Sequence, residues 1–407
     1  VVLAENDEPV SLFSDTEIEV GLLNVSDDSF RFGRYTGLTD NDTYLNLNFS
    51  MSISDGISQH ATFTGRDLGL DSRSLYLDWG KQGQYDAYIH YDQIPFNNFI
   101  GQTIFEGVGS NNLTLPAGWV NSGDTHGFSQ LDKNLKDVEI GTLRKKLALG
   151  TRVLNLRKNL TLTLDFSTEN KEGYQTLGSL VGGPGSGGAS LLPAPIDYTT
   201  NTLSAALGYV NDKGHFNLSY LGSRFFNDNN RLSWESPFSA EPQRGSEGQM
   251  SVAPDNQMQQ LSFSGGYRLT DTTHFTGLAS VAMMLQDDAF LPDTVSPNVP
   301  NITPHSQPRN SLDGEVYQYN ALLSLSSRPL RGLNLKGSYR LLKRDNQTPR
   351  DEYTWYLNDS FNPPSINIET KTNDPYSYTK QTYKLDAGYR INSTARLSGY
   401  IGHETYE

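Results

Sequence analysis

Asp86, His90 and Asp92 are the first candidates for chemistry, because they are ionisable and close together in the sequence. They lie at even positions of a segment whose alternating polarity predicts a β-strand, so their side chains should share one face. A histidine beside a carboxylate can act as a general base. Side chains two residues apart on a strand are about 7 Å apart, however, which is too far for a direct hydrogen bond. The spacing therefore favours a polar lining over a catalytic pair.

Other potential sites for metal binding or catalysis are weaker. The seven histidines are dispersed, with no His-x-x-x-His spacing and no paired Asp/Glu, which argues against a catalytic metal. The glycine-rich run 182–188 lacks the Lys-Ser/Thr pair and the helix of a phosphate-binding loop, so it predicts a flexible loop. Asp27, Asp28, Asp40 and Asp42 could hold Ca²⁺ weakly, but solvated acidic loops are far more common. We therefore expect that the protein is not an enzyme.

The composition excludes further classes of protein. The chain has 407 residues, 46 acidic and 32 basic, with a net charge of −14 and an isoelectric point near 4.9. An acidic chain of this kind has no basic surface to displace the counterions of a nucleic acid, so no nucleic-acid partner is expected. The chain has no cysteine and cannot form a disulfide, a cysteine-ligated zinc site or the thioether bonds of a c-type haem. Any redox centre must therefore belong to a partner.

The sequence has no stretch of about 20 apolar residues, which is the length that a transmembrane helix requires. The longest uncharged stretch, 173–196, is rich in Gly, Pro and Ser and predicts a loop. The chain begins Val-Val-Leu-Ala-Glu, without the basic and apolar regions of a signal peptide. This start is the one expected for a mature protein whose signal has been removed.

Apolar and polar residues alternate at a period of two through many short segments, and helical periodicity is nearly absent. In residues 44–53 every odd position is apolar, and 160–166 and 333–341 show similar alternation. We predict about fifteen strands, each near the roughly 9 to 11 residues that cross a bilayer. The predicted spans are 16–25, 43–53, 59–67, 72–80, 84–92, 140–152, 158–169, 200–210, 214–226, 257–269, 273–286, 315–328, 331–344, 378–391 and 395–404.

The connections between these strands alternate in length. Those after even-numbered strands are short, such as 54–56 and 211–214, and most of those after odd-numbered strands are long and polar, such as 93–139 and 170–199. Outer-membrane barrels have such short periplasmic turns and long extracellular loops. The sequence therefore predicts an all-β fold, a large transmembrane antiparallel up-and-down β-barrel embedded in the lipid of a bacterial outer membrane.

We expect residues 1–407 to form a single barrel domain, with residues 1–15 as an N-terminal periplasmic segment. Single-chain bacterial barrels have even numbers of strands, so fifteen strands would leave the last one with an unpaired edge. The chain is therefore expected to be a C-terminally incomplete part of a larger barrel. The alternative is a missed or extra strand, near 138–156 or 353–356.

Charged residues of both signs fall on the face that the alternation turns away from lipid. They are Glu17, Glu19, His60, Arg66, Asp78, Asp86, His90, Asp92, Asp165, Arg268, Lys336, Arg340, Lys384, Asp386, Arg390 and Arg396. Unpaired charges are expensive in a dry core. We therefore expect the lumen to contain water or a polar partner rather than an apolar ligand.

Five short segments, in order along residues 32–119, resemble the MtrB/PioB family of decahaem-cytochrome-associated outer-membrane proteins. They are Phe-Gly-Arg-Tyr-Thr-Gly-Leu at 32–38, Arg-Asp-Leu-Gly-Leu-Asp-Ser-Arg at 66–73, Gly-Lys-Gln-Gly-Gln-Tyr at 80–85, Tyr-Asp-Gln-Ile-Pro at 91–95 and Leu-Thr-Leu-Pro-Ala-Gly-Trp at 113–119. The rest of the chain supports the resemblance only through its hairpin pattern.

The resemblance implies a barrel of about 26 strands that sheathes a periplasmic multihaem c-type cytochrome and often docks an extracellular one. Electrons would then cross the outer membrane along haems carried by the partner, with no cofactor on this chain. Family members are much longer than this chain, in agreement with the odd strand count. Some carry an N-terminal Cys-x-x-Cys, and its absence here removes any redox role for that motif. The resemblance makes Arg66, Asp78, Asp86, His90 and Asp92 lumenal contacts to the cytochrome.

Two other functions remain open at this point. A general diffusion porin for small polar or ionic solutes would conduct ions by itself, whereas the lumen of a cytochrome sheath would be filled by its partner. An outer-membrane hydrolase would need a cluster of Ser and His or of Asp and His on a rim or on the lipid face. The dispersed histidines argue against the hydrolase.

Overall fold

A computed structural model describes residues 15–180, 189–238, 247–295, 303–356 and 368–407. Fifteen strands form one antiparallel sheet and follow one another in chain order. They are β1 (Asp15–Asn24), β2 (Thr43–Ser54), β3 (Gln59–Leu68), β4 (Ser74–Lys81), β5 (Tyr85–Thr103), β7 (Lys136–Val153), β8 (Leu160–Leu180), β9 (Ala189–Asn211), β10 (Gly214–Asn227), β13 (Asn256–Thr270), β14 (Thr273–Gln286), β15 (Gly314–Ser327), β16 (Leu333–Asn346), β19 (Tyr378–Arg390) and β20 (Arg396–Tyr406).

The remaining elements belong to the connections. Strands β6 (Asn112–Leu113), β11 (Arg231–Glu235) and β12 (Glu247–Ser251) form a three-stranded sheet, and β17 (Glu352–Tyr356) and β18 (Ile368–Thr372) form a hairpin. A 3₁₀ turn at Thr125–Gly127 and the helix α1 (Leu131–Asn134) complete the described structure. Neither is long and apolar enough to cross a membrane, and the described ranges contain no other helix that is.

The predicted up-and-down sheet and its fifteen strands are confirmed. The 353–356 segment does form a strand, β17, but it pairs with β18 outside the large sheet and does not change the count. Within the described residues β1 pairs only with β2, and β20 only with β19, so the sheet is not closed. Residues 1–14, most of the predicted periplasmic segment, lie outside the described residues, and Asp15 already belongs to β1.

The period-two alternation gives the sheet two chemically different faces. Ile18, Val20 and Leu22 of β1 lie opposite Phe49, Leu47 and Leu45 of β2, and the β1 side chains are 64%, 67% and 75% exposed. In water such exposure would be costly, whereas in a bilayer it places hydrocarbon against hydrocarbon. The register continues this apolar face across all fifteen strands, and we name it the outer face. The opposite, polar side is the inner face.

Three of the short turns at the periplasmic end share one hydrogen-bond pattern. A side chain in or beside the turn accepts hydrogen bonds from backbone N–H groups two to four residues later. The oxygen of Asp55 accepts from Ile57, Ser58 and Gln59 at 2.7–2.8 Å. Asn211 and Asn392 make equivalent bonds in two other turns. These three turns are therefore fixed by Asx side chains, for which Asp and Asn are the preferred residues.

These backbone hydrogen bonds lower the pKa of the Asp55 carboxyl below its ordinary value of 3.8. A depressed pKa contributes stability at pH values above 3.8, and this contribution is lost as the pH falls through the folded-state value. We expect Asp55→Ala to destabilise the protein more at pH 7 than at pH 3, measured by denaturant unfolding. Asp271→Ala, in the β13–β14 turn, is the control, because there the N–H of Thr272 donates to the Thr270 hydroxyl rather than to the aspartate. An equal loss at both pH values would contradict this role of Asp55.

Several strands are longer than the alternation predicts. β5 and β7 extend into the expected loop 93–139, and β8 and β9 extend into the expected loop 170–199. The prediction of a loop across 173–196 is therefore wrong on both sides of the glycine-rich run 182–188, which itself lies outside the described residues. The added β8–β9 ladder includes Tyr174 opposite Pro195. β9 pairs with β10 only up to Tyr198, so its upper part is an edge, where proline is tolerated.

The connections above the sheet also form a hydrophobic core of their own. We name this unit the loop lobe; it combines the β5–β7 connection, the upper β9 strand and the sheet β12–β11–β6. Its buried residues are Ile104, Phe105, Leu113, Phe128, Leu192, Ala194, Leu232, Trp234 and Phe238. The backbone N–H of Leu115 donates to the Glu235 carboxylate at 2.5 Å. The expected long polar loops are thus partly a folded unit with its own core.

Candidate functional site

The inner face places all five predicted lumenal residues on one wall formed by β3, β4 and β5. In the register Arg66 lies opposite Ser74, and Ser74 lies opposite Asp92. Asp86 lies opposite Gly80. His90 lies opposite Tyr76, and Asp78 lies opposite Tyr88. Strand pairing puts the five residues in neighbouring positions on one face of the sheet, and their contact with a partner stays a prediction.

The wall does not contain the His–carboxylate pair that Asp86, His90 and Asp92 suggested. The Nε2 atom of His90 lies 3.3 Å from the Ser74 hydroxyl oxygen, and its ring meets Tyr76 edge to face at 5.7 Å between centroids. These two contacts hold His90 against β4 rather than toward its own strand's carboxylates. The separation expected from strand geometry therefore holds.

A different histidine lies near a carboxylate on this wall. The Nε2 atom of His60 is 3.6 Å from Oδ2 of Asp78, on the adjacent strand. Both side chains are partly exposed on the inner face. The alternation placed both residues there, but only the β3–β4 register brings them together. In the described contacts no nucleophile or third group orients this pair.

Two tyrosines on the wall were missed by the search for ionisable groups. Tyr76 and Tyr88 stack with ring centroids 6.2 Å apart. The Tyr88 hydroxyl crosses β7 and donates to Oδ1 of Asp165 on β8 at 2.9 Å. The sequence did contain a signal for them, because both tyrosines occupy even positions of strands whose even positions face the lumen. The wall therefore presents aromatic surface as well as charge to the lumen.

Gly150 of β7 makes the Tyr88–Asp165 hydrogen bond possible. A Cβ atom at this position would lie 2.4 Å from both Oδ1 of Asp165 and Cε1 of Tyr88. Gly150→Ala should therefore displace the tyrosine and destabilise the barrel by about 1–3 kcal/mol. Gly337→Ala, whose Cβ would meet nothing within 4 Å, should have little effect. Denaturant unfolding of the two variants measures the difference, and equal stability losses would contradict the proposed crowding.

Two of the four acidic loop residues considered for Ca²⁺, Asp28 and Asp42, instead accept hydrogen bonds from the loop backbone. Asp28 accepts a hydrogen bond from the N–H of Asn41 at 2.6 Å, and Asp42 accepts one from Thr43 at 2.6 Å. Within the described ranges, no group of three or more His, Cys, Asp or Glu side chains is placed to hold a metal ion. The wall of ionisable and aromatic side chains on the inner face is therefore the candidate functional site.

Comparison with known proteins agrees with the five sequence segments. The family described as "Putative outer membrane beta-barrel porin, MtrB/PioB" matches residues 24–406. The outer membrane protein MtrB of Shewanella baltica (strain OS185) is 29% identical over 388 residues, which cover 94% of this chain and 52% of that protein. The chain thus spans about half the length of this curated relative.

Solved structures of outer-membrane proteins resemble the chain only loosely. The copper transporter OprC superposes with a TM-score of 0.39 at 9% identity, covering 96% of this chain and 56% of that one. OmpT of Vibrio cholerae in its trimer form gives a TM-score of 0.29 at 9% identity, covering 96% and 99%. Superpositions this loose support no argument about function. The match over residues 24–406 is the decisive comparison, and by it the chain belongs to the MtrB/PioB family of bacterial outer-membrane β-barrel proteins.

Proposed function

We propose that this chain forms the wall of an electron conduit through the outer membrane. In this proposal the barrel encloses a periplasmic multihaem c-type cytochrome, and electrons cross the membrane along the haems of that partner. An extracellular multihaem cytochrome is proposed as a second partner on the loop side. The protein contributes enclosure and orientation rather than catalysis.

The observation that carries the proposal is the free charge on the wall of β3, β4 and β5. Arg66, Asp86 and Asp92 make no side-chain hydrogen bond or ion pair with any part of the chain that the structure describes. Tyr76 and His90 add aromatic edges beside them. Tyrosine and arginine are enriched at protein-binding surfaces, and the free carboxylates beside them can orient a charged partner. Membership of the family supports the same partner.

The haems in this proposal belong to the partner, because the residues of this chain do not suit haem attachment. The chain has no cysteine for thioether bonds. On the wall His90 lies against Ser74 and His60 against Asp78, so these imidazoles already have polar neighbours. The chain's own role would be to exclude lipid from the haems. A sheet with paired strands can do this because its backbone polar groups are satisfied within hydrocarbon.

Purification of the intact protein from its native outer membrane in mild detergent tests the proposal. A visible absorption spectrum and mass spectrometry of the components should show a c-type haem protein in stoichiometric amounts. The haem cannot be attached to this chain, so such a band reports a partner directly. A colourless barrel that forms open channels in a planar bilayer would instead identify a general diffusion porin and overturn the proposal.

A further inference from the structure

Charges on the inner face are segregated by strand rather than mixed. The strands β1 to β5 carry mainly acidic side chains, which we name the acidic strip; its carboxylates are Asp15, Glu17, Glu19, Asp78, Asp86 and Asp92. The strands β16, β19 and β20 carry mainly cations, which we name the basic strip; its cations are Lys336, Arg340, Arg344, Lys380, Lys384, Arg390 and Arg396. The two strips lie toward opposite ends of the sheet.

The strands between the two strips separate them. In β7 and β8 the inner face carries both signs, and Arg144 pairs with Glu169 at 3.2 Å. From β9 to β15 the described inner face consists mostly of Ser, Thr, Asn, Gln and small apolar residues, with Arg268 at its periplasmic end. The two strips are therefore not on neighbouring strands, so salt bridges between adjacent strands cannot neutralise the charge of one strip with that of the other.

Much of the basic strip is not neutralised locally. Lys384 pairs with Asp386 at 2.7 Å, and Lys380 pairs with Glu404 at 2.8 Å. In the described part of the chain, Lys336 and Arg340 have no ion pair. Lys336, Arg396 and Arg328 line a cavity of about 930 Å³ on the inner face near the periplasmic turns, where they outnumber the carboxylates of Asp271 and Asp386. This part of the wall therefore offers free cations to a partner.

The acidic strip is likewise open toward the lumen. Glu19 accepts a hydrogen bond from the Asn48 amide at 3.0 Å, which leaves its charge uncompensated. Asp86 and Asp92 lie across from Arg152 and Lys146 of β7, so the strip is partly balanced at that border. The strongest uncompensated acidity is therefore on β1, farthest from the mixed strands.

We infer that the protein enclosed by this wall carries a basic surface facing the acidic strip and an acidic surface facing the basic strip, and so occupies one rotational orientation. The inference rests on the proposed function. Complementary charges specify orientation because a wrong orientation places like charges together, which is unfavourable. A uniformly polar wall would leave rotation about the barrel axis unspecified. A fixed rotation would hold the partner's haems at defined positions relative to both barrel openings.

Cross-linking tests the orientation directly. Because the chain has no cysteine, one introduced cysteine gives a unique attachment point for a maleimide–benzophenone probe. Ser50→Cys lies opposite Glu17 in the acidic strip, Ser338→Cys lies opposite Lys384 in the basic strip, and Ser262→Cys on β13 is the control between them. The probe is activated in the intact complex, and the cross-linked partner peptides are identified by mass spectrometry.

The expected result is one Lys- and Arg-rich peptide from position 50, one Asp- and Glu-rich peptide from position 338, and a third from position 262. Overlapping peptides from all three positions would show free rotation and overturn the inference. Peptides that are distinct but lack the expected charges would also overturn it. The haem band of the purified native complex reports the proposed function separately, so the two failures can be distinguished.

Charge reversal provides a second test. Glu17→Lys with Glu19→Lys, and separately Lys336→Glu with Arg340→Glu, should each lower the haem retained per barrel about tenfold after a salt wash. Ser262→Lys with Ser264→Lys, on the uncharged strands, should change it less than about twofold. Heat-modifiable migration on gels confirms barrel assembly, and neutral Gln variants replace any reversal that fails to assemble. Equal haem retention in the strip and control variants would overturn the inference.

Discussion

Leu218→Arg is expected to destabilise the membrane-embedded barrel by about 2–4 kcal/mol. Leu218 is the fifth of the fourteen residues of β10 and lies on the outer face, opposite Leu207 on one side and Phe263 on the other. It is 44% exposed. In the bilayer this exposed surface contacts hydrocarbon. An arginine there would place a guanidinium near the midplane, where burying charge is most costly. Denaturant unfolding of the protein in lipid vesicles measures the loss.

Ser219→Arg is the matched control, one residue further along the same strand. Ser219 belongs to the inner face and lies opposite Ala206 and Ser262, so a long side chain has room toward the lumen. We expect a change within about 0.5 kcal/mol. Equal losses for the two variants would mean that the two faces are wrongly assigned. The comparison therefore tests the alternation from which the inner and outer faces follow.

The sheet was predictable because its determinants are local. A strand and its two faces can be recognised from neighbouring residues alone, as where Leu218 and Tyr220 alternate with Asn217 and Ser219. The turns were predictable for the same reason, since Asp55 and Asn211 bond to N–H groups only a few residues away. Fifteen strands in chain order follow directly from these local signals.

The loop lobe was not predictable because its contacts are distant in sequence. The side chains of Asn112 on β6 and Ser233 on β11 form a hydrogen bond across a separation of 121 residues. β6 itself is only two residues long. A two-residue strand has no periodicity to detect. The upper β9 strand was missed for a different reason. Its prolines and the nearby glycines give this segment the composition of a loop.

The candidate site was predictable as a face but not as a set of contacts. Alternation placed Arg66, Asp86 and Asp92 on the inner face, where the structure also has them. The contacts of His90 with Ser74, and of His60 with Asp78, depend on the register of two hairpins. A shift of one residue would have reversed every side chain, so only the paired structure fixes them. That these residues contact a cytochrome stays a prediction.

The loop lobe should respond most strongly to Trp234→Ala, with an expected loss of about 3–5 kcal/mol in the stability of the lobe. Trp234 is 4% exposed and lies opposite Leu113 of β6, which is fully buried. Its ring also covers Gly248 of β12, where an added Cβ would lie 2.4 Å from the indole. Removal of the indole leaves a cavity where β6, β11 and β12 meet. The lobe would then open more often on the cell surface.

Proteinase K treatment of intact cells measures this opening, because it reaches only the extracellular side. We expect Trp234→Ala to be cleaved within the lobe at least about tenfold faster than the native protein, since cleavage of a transiently opened segment follows its opening equilibrium. Val120→Ala, a substitution at a 54% exposed position of the β5–β7 connection, should leave the rate unchanged. Heat-modifiable migration of the uncleaved protein should stay native, because Trp234 belongs to the small sheet β12–β11–β6 and not to the fifteen-stranded sheet. If Trp234→Ala also prevented barrel assembly, the lobe would be part of the barrel's folding unit rather than an independently packed cap.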